Sequence, residues 1–198
     1  MKQRDIWALV LPRLLSDPVW YFYLFWLPDY LQRVRGFSLG DMAAYGWLPF
    51  LFAGLGCVTG GALSDWMVRR GVAPARARVR VLIVVGCTGP LGALVGLVSS
   101  VALAMTLACV VVYLTQVWAT NTATLAAEVL PSEEVGTAVG MMGTAGSLGG
   151  ALFAQLLGVL IARAGYPAAF AAVATLYPLA ITALVSLIRL DRSVVQAP

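Results

Sequence analysis

The feature that most constrains this chain is where its charges stand. Long apolar runs follow one another with short breaks, and most of the arginines lie in the breaks. Of 198 residues, 61% are hydrophobic and 11% are charged. A water-soluble domain of this size cannot hide so much apolar surface. A bilayer removes the difficulty, because a helix crosses its hydrocarbon core with roughly 20 apolar residues. Backbone groups in that core must be satisfied within the segment, which selects helices. The sequence therefore predicts an all-α membrane protein with about six transmembrane helices.

The spans are expected at about residues 6–32, 41–63, 81–99, 101–126, 135–162 and 168–188, as one bundle over residues 1–198. Pro12, Pro18 and Pro28 predict a bent or broken first span. Gly89-Pro90 predicts a kink in the third. Gly136, Gly140, Gly143, Gly146, Gly149 and Gly150 form a stripe on the fifth, suited to a tight helix crossing. Gly54-x-Gly56 is no dinucleotide fingerprint, since no strand precedes it. No repeat of three helices with three inverted helices is visible.

Alternating loops place nine basic residues on one side (Lys2, Arg4, Arg69, Arg70, Arg76, Arg78, Arg80, Arg189, Arg192) and three on the other (Arg33, Arg35, Arg163). A plasma (inner) membrane protein is expected, and the positive-inside rule puts both of its termini in the cytoplasm. It also accounts for the net charge of +4 without nucleic acid. Met1-Lys2-Gln3-Arg4-Asp5 shows no cleavage site behind a short apolar core, so no signal peptide is expected. Histidine is absent, which removes His-based acid–base chemistry and the commonest metal ligand. Cys57, Cys87 and Cys109 all lie in apolar runs and read as packing residues. With no nucleophile–base pair and no soluble domain, neither an enzyme nor a cofactor is expected.

One break is chemically distinctive: Gly61-Ala62-Leu63-Ser64-Asp65-Trp66-Met67-Val68-Arg69-Arg70-Gly71. It reads as a hydrophilic turn between spans two and three. A small residue four positions before an acid lets two helix ends approach, and two arginines follow. Such a cluster can hold helix ends in one arrangement and release them in another. The stretch resembles the signature loop of the major facilitator superfamily, Gly-x-x-x-Asp-Arg/Lys-x-Gly-Arg/Lys-Arg/Lys. Gly61, Asp65, Arg69 and Arg70 match it; Trp66 and Val68 depart from it. The resemblance implies a conformational-switch loop and, from its degenerate form, the second of that fold's two copies. It further implies that six spans are the C-terminal half of a twelve-helix transporter, its N-terminal half absent. The alternative reading of Arg69 and Arg70 is ordinary interfacial anchoring.

Two stretches carry polar chemistry inside spans. Arg13 and Asp17 stand four apart and share a helix face that continues through Trp20 and Tyr21. A charge at the bilayer centre costs roughly 2.5–3.5 kcal/mol, so such pairs persist when they meet each other or a cavity. Either the pair serves an anionic ligand, with Asp17 a candidate proton carrier, or it is an interfacial ion pair with Arg13 snorkelling. On the fourth span Thr115, Trp118, Asn121 and Thr122 cover about a third of the circumference, with Gln116 beside them. Hydroxyl, amide and indole groups suit a polyhydroxylated ligand. The alternative is interhelical hydrogen bonding, worth about 0.6 kcal/mol each.

The run from Arg13 through Pro28 resembles helix 7 of the hexuronate transporters, in the anion:cation symporter branch of the superfamily. Gln116 to Asn121 is similar to their helix 10, and Arg35 to Leu39 and Gly46 to Phe50 also fit. This resemblance implies import of a sugar acid (galacturonate or glucuronate) with a proton by alternating access, at a site between two six-helix halves. By matching position the resemblance assigns Thr115, Gln116, Trp118 and Asn121 as substrate contacts, and the charged helix face adds Arg13, Asp17 and Tyr21 to the expected set. The principal arginine and proton-carrying acids would belong to the other half. Two further readings stay open: a six-helix protein that homodimerises, and a non-transporting fragment.

Overall fold

The computed structural model describes residues 3–188, so Lys2 and the exit residues Arg189, Asp191 and Arg192 lie outside the described residues. Every regular element described is helical. They are α1 (Gln3–Arg33), α2 (Leu39–Tyr45), α3 (Leu48–Arg69), α4 (Pro74–Thr88), a 3-10 helix (Gly89–Gly96), α5 (Val101–Val129), α6 (Ser132–Ala174) and α7 (Leu176–Leu187). Among the described residues four stretches are long and apolar enough to cross a membrane: Leu39–Arg69, Pro74–Gly96, Val101–Val129 and Ser132–Leu187. Length and apolarity alone therefore return four candidates rather than six. α1 carries six charged residues along its 31 positions, which dilutes its apolar character. The 56-residue final stretch takes in both of the last two expected spans. Gly165 interrupts α6 there with φ 77° and ψ 175°, a non-helical conformation just ahead of Pro167.

Local sequence accounts for most boundaries. Ser38 caps α2, its hydroxyl accepting from the Asp41 N–H at 3.1 Å while the Asp41 carboxylate accepts from the Ser38 N–H at 2.9 Å. α2 and α3 part at Gly46-Trp47 within the second expected span, because Pro49 has no N–H to offer the Tyr45 carbonyl. The signature stretch is not a loop. It is helical through Arg69, and the turn proper is only Arg70–Ala73. There Gly71 takes φ 88°. The Gly71 N–H bonds the Val68 carbonyl at 2.9 Å and the Val72 N–H bonds that of Met67 at 3.1 Å, closing α3 with a Schellman cap. Pro74 then opens α4 at a position where no donor is lost. The third span thus begins seven residues earlier than expected, and Arg76, Arg78 and Arg80 are helical.

Prolines act differently in two places. α1 runs on as one helix through Pro12, Pro18 and Pro28, so of the two expected outcomes, bent or broken, it is not broken. Each proline forfeits one rung, and the intact rungs between them keep the helix. At Gly89-Pro90 the chain instead tightens into the 3-10 helix. Arg35 satisfies carbonyls at the end of that segment, donating to Ser99 at 3.0 Å and also to Val98. It also donates to the Tyr30 hydroxyl at 2.7 Å, which itself donates to the Val95 carbonyl at 2.8 Å.

The bundle is held by two principal crossings, α1 on α6 and α3 on α5. Both depend on glycine. On α3, a Cβ at Gly60 would stand 2.9 Å from the Val117 Cα. On α6, Gly149 faces the Leu14 carbonyl and Gly150 the Tyr21 ring, with Gly146 against the Asp17 carboxylate. The glycine stripe is thus a crossing along part of its length; Gly136, Gly140 and Gly143 have nothing within 4 Å. Aromatic side chains fill the interior, with Phe170 5.0 Å from both Phe22 and Tyr30 and Trp118 5.2 Å from Tyr177, ring centre to ring centre. Outward lie large apolar side chains, among them Leu39, Val58, Val84 and Leu97, as a lipid-facing surface requires.

Gly60→Val is expected to force α3 from α5 and lower stability in detergent by about 1–3 kcal/mol. Gly54→Val, with open space around it, is expected to leave the melting temperature unchanged. Thermal unfolding of the two variants beside the parent tests the crossing.

Candidate functional site

A cavity of about 230 Å³ opens between α1, α5 and α7. Helical periodicity explains its walls. Arg13, Ser16, Asp17, Trp20 and Tyr21 recur at intervals of three and four along one face of α1. Thr115, Gln116 and Ala119 present one face of α5, and α7 contributes Tyr177. Five of the seven expected substrate contacts therefore share one hollow: Arg13, Asp17, Tyr21, Thr115 and Gln116.

Its electrostatics centre on one ion pair. The Arg13 guanidinium lies 2.9 Å from the Asp17 carboxylate, both side chains less than a fifth exposed. The Ser16 hydroxyl donates to the other Asp17 oxygen at 3.4 Å. Arg13 Nε is buried with no acceptor among the described residues. The pair is formally neutral, and the walls add hydroxyl and amide groups. Gly146 on α6 gives the Asp17 carboxylate its room, because any Cβ there would overlap it. What the hollow can do chemically is pair a charged group and hydrogen-bond hydroxyls. Nothing in its donor set suggests a nucleophile.

Trp118 and Asn121 do not line this hollow, contrary to expectation. Trp118 is buried against Tyr177. Asn121 is fully buried, its amide donating to the Gly60 carbonyl at 3.1 Å and the Val117 carbonyl at 2.8 Å. It joins α5 to α3. The Thr122 hydroxyl likewise turns back to its own helix, donating to the Trp118 carbonyl at 2.9 Å. Of the polar arc on α5, one edge faces the cavity and the rest faces neighbouring helices. Ser16, Trp20 and Tyr177 were not among the expected contacts. Ser16 and Trp20 are legible from their spacing to Arg13, whereas Tyr177 carries no local signal.

The second group gathers at the α3–α4 turn, around an arginine that sequence reading treated as a loop anchor. Arg78 is 7% exposed and binds three helices together. Its guanidinium lies 2.6 Å from Asp65 at the end of α3 and 3.0 Å from Glu128 at the end of α5. It also donates to the Ser64 hydroxyl and, at 3.5 Å, to the Gly61 carbonyl. Asp65 pairs with Arg78, not with Arg69 or Arg70. Those two are exposed, and Arg70 stacks over the Trp66 ring at 4.4 Å. Once α4 starts at Pro74, Arg76 and Arg80 fall on its outer face and Arg78 on its inner one. The alternating Arg-x-Arg-x-Arg spelling alone conceals that difference.

A polytopic helical bundle with a charged hollow within its apolar helices defines a membrane transport class rather than a soluble binder. The sequence pattern of the Major Facilitator Superfamily matches residues 1–154, and the chain belongs to that superfamily. It is similar to the hexuronate transporter of Escherichia coli strain K12, at 33% identity over 177 residues, covering 88% of this chain and 40% of that relative. The galacturonate transporter of Dickeya chrysanthemi is 39% identical over 61 residues, 31% of this chain and 18% of that relative. The hexuronate transporter of Bacillus subtilis strain 168 is 24% identical over 202 residues, 100% of this chain and 47% of that relative. The chain spans less than half the length of these curated relatives. They are transporters, and the chain is not an enzyme.

Removing a buried charge's partner is far costlier than removing an exposed one. Arg78→Met is expected to destabilise the bundle by about 3 kcal/mol, because Glu128 is left buried and unpaired. Asp65→Asn is expected to cost under about 1 kcal/mol, since Asp65 is 53% exposed. Thermal unfolding in detergent distinguishes the two; equal losses would contradict the assignment of Arg78 as the centre of this group.

Proposed function

We propose that this chain is the C-terminal six-helix half of a secondary active transporter that imports hexuronates with protons by alternating access. Its counterpart is an N-terminal six-helix half, and the pair spans the plasma (inner) membrane with both chain ends of this half cytoplasmic. The names and identities of the relatives support the substrate class. The distribution of arginines supports the orientation, and coverage of 40% and 47% of the two hexuronate transporters supports the two-half architecture.

The observation that carries the reading is the Arg13–Asp17 pair inside a polar cavity. While Asp17 is ionised, it holds Arg13 and the pair offers an anion no net charge. Protonating Asp17 frees the guanidinium for a substrate carboxylate. Proton and anion then enter the hollow together, which is the requirement of symport. Thr115, Gln116 and Tyr177 supply hydrogen-bonding partners for sugar hydroxyls, and Trp20 and Tyr21 supply flat apolar faces. Trp118 and Asn121 act one layer back, holding α5 against α7 and α3. Gly61, Asp65, Arg69 and Arg70 belong to the conformational switch, with Arg78 as the arginine that pairs with Asp65.

The test is uptake of labelled galacturonate by cells expressing the chain with a six-helix N-terminal half. Gln116→Ala is expected to raise KM about fivefold or more, as loss of one hydrogen bond to a substrate does, at unchanged membrane abundance. Asp17→Asn is expected to retain substrate binding while losing its dependence on pH, because the neutral amide imitates the protonated acid. Uptake that keeps the parental pH profile in Asp17→Asn removes Asp17 from the coupling role. Uptake by the chain alone, with a cross-linked dimer, favours the homodimer instead.

A further inference from the structure

Outside the proposed transport cavity, a second hollow of about 310 Å³ lies between α3, α4 and α5. Its lining is apolar except for Arg80 and for Tyr113, whose hydroxyl is hydrogen-bonded to that of Thr59 at 2.7 Å. Gly60, Leu63 and Met67 form the α3 wall, which extends roughly 10 Å at 1.5 Å per residue. Val84 on α4 and Val117 on α5 close the other sides. Leu63 is 49% and Val84 62% exposed, so the hollow opens outward. Arg80 is the charged exception and stands at the end nearest the α3–α4 turn.

Arg80 is exposed, and among the described residues no carboxylate pairs with it. Asp65 and Glu128, the acids of the α3–α4 turn group, are both engaged by Arg78, and Glu133 and Glu134 stand in the first turn of α6. Arg76 stands one turn away on the same outer face of α4, also without a carboxylate. Arg69 and Arg70 follow at the turn. An apolar groove that ends in uncompensated positive charge is complementary to one kind of membrane molecule: an apolar tail joined to a negative headgroup.

We propose that this groove is a binding site for an anionic phospholipid, an acyl chain lying along Gly60, Leu63, Val84 and Val117 and the phosphate meeting Arg80. The site is separate from the substrate hollow and rests only on the chain's being a membrane protein. A zwitterionic lipid fits the groove and also brings a phosphate, but its ammonium cancels that charge and is repelled by the neighbouring arginines, so it gains less at this end. A soluble anion satisfies Arg80 but gains nothing from the apolar walls. A second protein chain across the groove would need to supply acids at this end.

Native mass spectrometry of the purified full-length chain, titrated with phosphatidylglycerol, phosphatidylethanolamine or inorganic phosphate, tests the site. Phosphatidylglycerol is expected to be retained preferentially. Arg80→Gln is expected to weaken its retention about fivefold, the effect of one basic residue near an anionic surface, and Arg80→Lys to preserve it. Val84→Trp is expected to reduce retention by filling the groove, with helicity by circular dichroism unchanged. Equal retention of the two lipids, unaltered retention in both Arg80→Gln and Val84→Trp, or displacement by phosphate alone would overturn the proposal. So would cross-linking through Val84→Cys that yields a dimer at every lipid concentration.

Discussion

Helix backbones in this bundle meet where side chains are missing. Gly60 brings α3 onto α5, and Gly146, Gly149 and Gly150 bring α6 onto α1. In hydrocarbon no solvent drives helices together, so association rests on close packing and on hydrogen bonds across the contact. The two are linked here. Only because Gly60 has no side chain can the Asn121 amide reach the Gly60 carbonyl. Only because Gly146 has none can the Asp17 carboxylate sit between α1 and α6 beside Arg13. The polar chemistry of the protein is placed by its smallest residues.

The two charged groups answer the same problem differently. At the α3–α4 turn one guanidinium faces two carboxylates and further oxygen acceptors, so its donors are nearly all used. Such a group ties the ends of three helices together, and its cost of burial is offset only while all partners are present. In the cavity, Arg13 has a single carboxylate and a buried Nε with no acceptor. In the first arrangement the guanidinium is satisfied within this chain, while Glu128 Oε2 is buried without a partner among the described residues. In the second, one guanidinium donor is left without an acceptor among the described residues, so the ion pair does not use all that Arg13 offers.

Much of this was legible in the sequence because it depends on composition and short-range spacing. Apolar runs marked the helices, and intervals of three and four placed Arg13, Asp17 and Tyr21 on one face. What was not legible depends on helix phase and on distant contacts. A shift in the start of α4 from residue 81 to Pro74 turned Arg78 inward and left its neighbours outside. On α5, the arc from Thr115 to Thr122 is wide enough to face two neighbours, and nothing local says which part meets a cavity. Trp118 has the composition of a sugar platform, yet Tyr177, more than 50 residues away in sequence, occupies its face. The prolines of α1 left two outcomes open, bent or broken, and the helix is continuous because a lost rung breaks a helix only where neighbouring contacts do not hold it.

The neutrality of the Arg13–Asp17 pair has a consequence for how a proton and an anion are linked on the proposed reading. Were Arg13 alone in the hollow, an anion would bind at any pH at which it is itself charged, and no proton would need to accompany it. Were Asp17 alone, an anion would be repelled until the acid was protonated. With both at 2.9 Å, binding of the anion and ionisation of Asp17 compete for the same guanidinium. Each therefore opposes the other by the same free energy, as reciprocal linkage demands. A proton arriving on Asp17 favours the anion on Arg13, and an anion on Arg13 favours the proton on Asp17. Coupling of this kind needs no movement of the helices; alternating access is then eased when the loaded and empty hollows carry the same net charge, and they do when one proton accompanies one carboxylate. The loaded and empty states thus present the same charge to the membrane, which lets both cross the same conformational barrier without the cost of carrying an uncompensated ion through it.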